Sequence, residues 1–240
     1  TNSEDVRLIK YDLVILDSYS TRSMKMKVSI SPNIKYVGLF GFFNGPEVNR
    51  TLFSFHQMNN LLGYIKNDHE IIDLAKNYIS ISQKDEDIIS PLIPQKFIAI
   101  VLGGEWKYKT YEKWSEVVEK IINDDKKLNI VLLGSKNAKK ASEELLIKFP
   151  KFNFYNFVDK ISFNQTAGVI KYSEILLCCD GGLMHAANAV NANVVSLFAR
   201  LTDDILLTKS CITYNLYDSY DVNNILVSDV VSKYNEAKNN

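Results

Sequence analysis

The stretch Glu174-Ile175-Leu176-Leu177-Cys178-Cys179-Asp180-Gly181-Gly182-Leu183-Met184-His185-Ala186-Ala187-Asn188-Ala189 changes character at its middle. The apolar run before Asp180 has no polar alternation, as expected of a strand covered on both faces. The residues after Gly182 are small and suit a helix packed tightly on a sheet. A buried strand turning through Asp-Gly-Gly into such a helix reads as half of a parallel α/β unit. The two glycines are expected to take positive φ and to bring backbone N–H groups close to a ligand. The helix start adds unpaired donors and partial positive charge, which suit a phosphate. Asp180 has the wrong charge to attract phosphate, so its expected work is to hold the glycine loop or cap the helix. His185, in the first helical turn, can donate to a phosphate oxygen or a sugar hydroxyl. Asp-Gly-Gly also occurs at routine strand-to-helix turns; the following His and the alanine-rich helix favour a ligand.

Outward from this segment the same alternation repeats. Continuous apolar runs at 97–102, 130–133 and 194–198 read as buried strands, and Phe152 to Phe157 as a further one. Between them, Tyr111, Trp114, Val117, Val118, Ile121 and Ile122 follow helical spacing after Thr110, an expected N-cap. Ala138, Ala141, Leu145, Leu146 and Phe149 do likewise. Ser162-Phe163-Asn164-Gln165 forms a capping box at the start of a helix that runs to about Tyr172. Strand and helix therefore alternate from residue 97 onward, predicting a parallel sheet with helices on its faces.

Two further loops lie after strands and before helices. One is Gly103-Gly104-Glu105-Trp106-Lys107-Tyr108-Lys109-Thr110, whose two lysines can meet anionic charge. The other is Gly134-Ser135-Lys136-Asn137. In a parallel sheet all three loops share the carboxyl edge of the strands, where such folds bind ligands. One crevice is the expected result.

The first ninety residues are less regular. Strands are expected near Asp12 to Asp17 and Ile34 to Leu39, separated by a polar stretch. The turn-rich Phe43-Asn44-Gly45-Pro46 and a helix carrying Leu52, Phe55, Met58, Leu62 and Ile65 follow. The charged, proline-containing segment 84–94 reads as a linker. The expected division is an N-terminal part, 1–92, small or incomplete, and a C-terminal ligand-binding domain, 93–240. The last residues, rich in Asn and Lys, read as a frayed tail.

Asp180-Gly181-Gly182-Leu183-Met184-His185-Ala186-Ala187-Asn188-Ala189 resembles the Asp-[Ser/Thr/Gly]-Gly-x-x-His-x-x-x-Ala segment of the lipopolysaccharide heptosyltransferases, glycosyltransferase family nine. Lys109-Thr110-Tyr111-Glu112-Lys113-Trp114 is similar to that family's Lys-x-Trp-Pro region. Leu132-Leu133-Gly134, Phe163 to Gly168 and Lys10 to Asp17 fall in the family's order. The similarity is strong over about 97 to 200 and thin before it. It implies a GT-B fold, with two Rossmann-like domains and the donor held mainly by the C-terminal one.

The resemblance further implies an inverting, metal-independent transferase. Its donor would be a nucleotide sugar, commonly ADP-heptose, and its acceptor a glycolipid or glycan such as lipooligosaccharide. Carried over by position, Lys109 meets the donor phosphates, while Asp180, Gly181, Gly182, Leu183 and His185 surround the pyrophosphate and sugar. Gly103, Gly104 and Gly134 complete the donor-binding set. The family's catalytic Asp has no counterpart here, so the general base is expected outside this chain. Lys136, Asn137 and Ala138 stand where the family often carries an acidic residue, and Ala199-Arg200-Leu201-Thr202-Asp203 replaces its Gly-Pro-Thr-Asp. Another GT-B enzyme acting on a different nucleotide sugar, or a nucleotide-sugar-binding protein without turnover, are the alternatives.

Composition narrows the classes. Basic and acidic residues number 28 each, so there is no basic excess to suggest nucleic acid as a partner. No apolar run approaches the roughly 20 residues needed to span a bilayer. Adjacent Cys178 and Cys179 with a distant Cys211 make neither a disulfide framework nor a zinc spacing. The expected setting is reducing and cytoplasmic, peripheral to the inner membrane face, with no cofactor beyond the donor.

Overall fold

A computed structural model of the chain describes residues 12–18, 21–30, 32–40, 49–208 and 211–240. Two units divide at Ala75/Lys76, earlier than the boundary expected at 92/93. The segment 83–89, expected as part of a linker, is helical, with Ser82 capping its start by accepting from Asp85 N–H. Its charges are local, but Ile89 is buried in the core of the second unit. Full burial of an Ile is worth roughly 1.5–3 kcal/mol, enough to outweigh weak intrinsic propensity.

In the first unit, strand β1 (Val14–Ser18) pairs in parallel with β2 (Tyr36–Phe40). The polar stretch between them is a helix, α1 (Thr21–Ile30). Its Met26 and Val28 are exposed, so the segment has no apolar face to announce it. β1, α1 and β2 thus form a βαβ unit, where the sequence suggests only two strands and a loop. Helix α2 (Arg50–Leu61) has Asn49 as its cap and ends before Gly63. Helix α3 (Asp68–Leu74) opens with an Asn67–Glu70 capping box. Phe43-Asn44-Gly45-Pro46 and Lys10-Tyr11 lie outside the described residues.

The second unit begins with α4 (Gln83–Ile89) and holds six strands: β3 (Ile98–Val101), β4 (Ile130–Leu133), β5 (Phe154–Asn156), β6 (Ile175–Cys179), β7 (Asn193–Ala199) and β8 (Ile212–Asp218). All pairings are parallel, in the order β5-β4-β3-β6-β7-β8. The helices are α5 (Trp114–Asp124), α6 (Lys139–Lys148), α7 (Phe163–Tyr172), α8 (Gly182–Ala189), α9 (Asp203–Leu206) and α10 (Val227–Asn239).

Successive residues of each strand feed opposite faces, which explains the unbroken apolar runs. Ile98 and Ile100 join a core with Trp114, Val117 and Ile121 of α5 and Tyr234 of α10. Ala99 and Val101 join the other with Ile89 of α4, Val169 of α7 and Met184 of α8. Cys178 and Cys179 fall on opposite faces as buried free thiols, and Cys211 is also unpaired. The Ser162–Gln165 capping box is present, with Gln165 N–H donating to Ser162 Oγ at 3.2 Å and Ser162 N–H to Gln165 Oε1 at 2.9 Å.

Two expectations fail at chain segments rich in polar residues. The tail is not frayed: α10 buries Val230, Tyr234 and Ala237, one face at helical spacing. Thr110 is not an N-cap; it follows a 3-10 turn, Lys107–Lys109, and its hydroxyl donates to Trp106 O at 3.0 Å. Helix α5 starts only at Trp114, without a side-chain cap.

Candidate functional site

Strands β3 and β6 are neighbours, yet the chain leaves β3 toward β4 and β5 and leaves β6 toward β7 and β8. That reversal parts the loops at the carboxyl edge and opens a crevice, as expected at a topological switch point. The crevice encloses about 450 Å³. Its walls come from the loops after β3, β4, β5 and β6, all in the second unit. The three expected loops meet there, and eight of the nine expected donor-site residues line it: Gly103, Gly104 and Lys109; Gly134; Asp180, Gly181, Gly182 and Leu183. His185 does not. It is half-buried further along α8, away from the lining. Lys107 is exposed and also outside the lining.

The glycines divide into two kinds, and not as expected. Gly103 and Gly134 take positive φ, 77° and 149°. A Cβ on Gly134 would lie 2.6 Å from Leu102 O and from Ala138 Cβ. These two glycines are required by the fold itself. Gly181 has an extended φ of 172°, and neither it nor Gly182 lies in the left-handed region. A Cβ on either would meet nothing within 4 Å. The expectation of left-handed φ there fails; what these two glycines provide is open space at the start of α8. His185 N–H bonds to Gly181 O at 3.2 Å as the helix begins, leaving the preceding amides at the crevice wall.

Asp180 differs from expectation as well. Helix α8 has no side-chain cap. The Asp180 carboxylate, with a side chain 3% exposed, instead forms an ion pair with Lys109 Nζ, whose side chain is 19% exposed. A buried carboxylate needs a counter-charge, and Lys109 reaches it across the switch point. The ammonium also lies 5.8 Å from the Tyr108 ring centroid, and the other cation on that ring is Arg200, at 3.7 Å. The Lys109 ammonium is thereby fixed in the crevice lining, with its charge balanced by Asp180.

The loops are tied together. Ser135 Oγ donates to Asn137 Oδ1 at 2.7 Å, and Asn137 Nδ2 donates to Gly104 O at 2.7 Å. Asp159 N–H donates to Gly134 O at 3.0 Å. Asn188, wholly buried on α8, donates to Thr208 O at 3.0 Å and to Cys211 Sγ at 3.0 Å. Its carbonyl oxygen accepts from Thr208 Oγ1 at 2.8 Å and from Asn77 Nδ2 at 3.1 Å. Cys179 reaches the crevice, but burial pushes its thiol up to about 12, which keeps it protonated and inert at neutral pH.

The fourth loop, between β5 and α7, contributes Asp159 and Ile161 to the lining, α7 contributes its first residue, Phe163, and Trp106 stands exposed on the β3 loop. None of these stands out by residue type. The signal was positional: a strand at 152–157 followed by the Ser162 capping box puts the intervening loop at the same edge. Among the described residues, no group of three or more His, Cys, Asp or Glu is arranged to hold a metal ion, and no helix is long and apolar enough to cross a membrane.

The family model of glycosyltransferase family 9 (heptosyltransferase) matches residues 43–208. No curated protein matches the chain by sequence. Among solved structures, a family 9 glycosyl transferase from Veillonella parvula superposes with a TM-score of 0.75 at 14% identity, covering 98% of this chain and 76% of that one. The Escherichia coli ADP-heptose lps heptosyltransferase II gives 0.70 at 18% identity, covering 98% and 78%. The E. coli heptosyltransferase WaaC with ADP gives 0.66 at 15%, covering 98% and 75%. The fold is the α/β GT-B type, with the parallel sheet described above.

Proposed function

From the premise that the chain belongs to glycosyltransferase family 9, the heptosyltransferases, we propose that it moves a heptose from ADP-heptose to a lipooligosaccharide-like acceptor. The observation that carries the reading is the Lys109–Asp180 pair set beside two glycines whose Cβ positions are open. A diphosphate needs cationic charge, backbone donors and room. Lys109, the first amides of α8, and Gly181 with Gly182 supply these in turn. The apolar Ile161 and Phe163 suit a nucleobase. WaaC and heptosyltransferase II, whose names carry ADP or ADP-heptose, support the choice of adenine nucleotide.

In this reading the bond between the sugar's anomeric carbon and the diphosphate breaks as an acceptor oxygen attacks from the opposite face, inverting the centre. The acceptor proton passes to a general base, which this reading places outside the donor-binding set. Negative charge grows on the leaving diphosphate, where Lys109 and the α8 amides stabilise it electrostatically, without a metal or further cofactor. His185, past the crevice wall, is assigned to the sugar end. A glycolipid acceptor places the reaction at the cytoplasmic face of a membrane, with the enzyme bound peripherally.

A second reading, another nucleotide sugar, draws on the Gly134 loop. Its Asn137 is spent on Ser135 and Gly104 and offers no carboxylate to a ribose. Both readings are tested by incubating the protein with ADP-heptose or with UDP-sugars, with and without a heptose-free lipooligosaccharide. Acceptor-dependent ADP release supports heptosyl transfer, and acceptor-dependent UDP release supports the second. Release from no donor removes the transferase reading.

A further inference from the structure

Asp159 is a carboxylate on the crevice wall to which the reading above gives no task. It stands after β5, on the far side of β4 and β3 from Asp180. Three strand spacings, about 14 Å, separate the two positions along the sheet edge. With the nucleobase assigned to Ile161 and Phe163, which line the crevice beside Asp159, the nucleoside of a diphosphate held by Lys109 and the α8 amides would lie toward Asp159.

The residue is held with unusual firmness for a loop position. Its φ is +56°, in the left-handed region that Asp tolerates better than most residues. Its backbone N–H is tied to Gly134 O at 3.0 Å. One carboxylate oxygen, Oδ2, lies 2.7 Å from Lys139 Nζ, and the side chain remains 38% exposed. Among the described residues, no hydrogen bond falls on Oδ1. The neighbouring polar groups are used elsewhere: Ser135 and Asn137 on each other, Asp180 on Lys109. Glu105, the third carboxylate of the lining, is on an exposed stretch and, among the described residues, has no ion pair to hold it. A fixed acceptor with one open oxygen is pre-organised for a pair of hydroxyls, the usual task of a carboxylate beside a bound ribose.

Resting on the nucleotide-sugar reading, we propose that Asp159 accepts hydrogen bonds from the ribose hydroxyls of the bound nucleotide and sets a preference for ribose over deoxyribose. Lys139 is its positioning residue, holding Oδ2 so that Oδ1 faces the crevice.

The test is calorimetric titration of the full chain with ADP, UDP, their 2′-deoxy and 3′-deoxy forms, and IDP. Wild type, Asp159→Asn and Glu105→Gln are compared. Asn keeps the size and the left-handed tolerance of Asp, so the fold is retained. Wild type is expected to bind at least one deoxy form roughly tenfold more weakly than the parent nucleotide, the scale of a lost hydrogen bond to a charged group. Asp159→Asn should bring that ratio to within about twofold, chiefly by weakening the parent, while Glu105→Gln keeps it. Equal binding of ribose and deoxyribose forms by wild type overturns the inference alone. So does a ratio that survives Asp159→Asn, or one that collapses in Glu105→Gln. A variant that loses only the distinction between ADP and IDP assigns Asp159 to the base and also overturns it. If wild type binds no nucleoside diphosphate, the nucleotide-sugar reading fails and takes this inference with it.

Discussion

Lys109, at the end of the loop after β3, pairs with the carboxylate of Asp180, at the end of β6, across the point where the sheet reverses its direction of growth. The two residues are 71 positions apart in sequence. Removing the ammonium leaves a carboxylate that is 3% exposed with no counter-charge. Lys109→Met is therefore expected to cost about 3 kcal/mol, read from urea denaturation midpoints, and to weaken nucleoside diphosphate binding. The double variant Lys109→Met/Asp180→Leu should recover most of the stability and none of the affinity. Stability loss without affinity loss would leave the pair a structural tie only.

The two kinds of glycine separate folding from binding. Gly134→Ala forces a Cβ to within 2.6 Å of backbone at a φ of 149°, and is expected to destabilise by about 1–3 kcal/mol. Gly181→Ala and Gly182→Ala meet no atom of the protein, so their melting temperatures should stay near wild type. Their nucleoside diphosphate affinities should nevertheless fall, because the added methyl fills the space beside the α8 amides. Unchanged affinity in both would move the diphosphate away from this turn.

For His185 the expected effect depends on how far the ligand extends. The residue is outside the crevice lining, so His185→Ala should scarcely change ADP affinity. It should weaken binding of an intact ADP-sugar, measured by the same titration. Equal loss for both ligands would assign it to the phosphates instead.

Alkaline pH should loosen the fold. Burial raises the thiols of Cys178 and Cys179, the latter to about 12, and the Tyr234 phenol to about 12, while Tyr111 is pushed higher still. The folded state holds these protons more tightly than the unfolded chain, so their contribution is complete below the ordinary thiol value of 9.0 and is lost above it. Urea midpoints should hold steady from pH 7 to about 9 and fall progressively toward about 12. At neutral pH a thiol reagent should modify Cys211, which is partly exposed, well before the two buried cysteines.

Much of the second unit is readable from its residues because parallel strands covered on both faces have nowhere to hide polar groups. The runs at β3, β4, β6 and β7 declare themselves, and the loops between them fall at one edge by topology. Elements with a single buried face surrounded by charge are harder to see. Helix α4 announces itself only by Ile89 and the Ser82 cap, and α10 by Val230, Tyr234 and Ala237 among lysines and asparagines. The site shows the same limit. Chain order places Gly103, Gly134 and Gly181 together, but not which glycine serves backbone geometry and which leaves room. Nor can local sequence reveal that Asp180 answers to Lys109, since pairing at that separation is a property of the sheet.

The buried Asn188 gives the crevice one stiff jaw. Its amide fastens α8 to Thr208, Cys211 and Asn77, three separate points of the chain. A tilt of that helix would strand several donors and acceptors at once in a dry interior. The opposing jaw, the loop after β3, is anchored at Gly104 by Asn137 and at Lys109 by Asp180, but between those anchors Trp106 has 57% of its surface in solvent. Room to adjust to an incoming molecule is thus greatest around Trp106, between the two anchors. Hydrogen exchange should find the amides of α8 slow with or without a nucleotide, while those of residues 104–109 slow down only when one is bound.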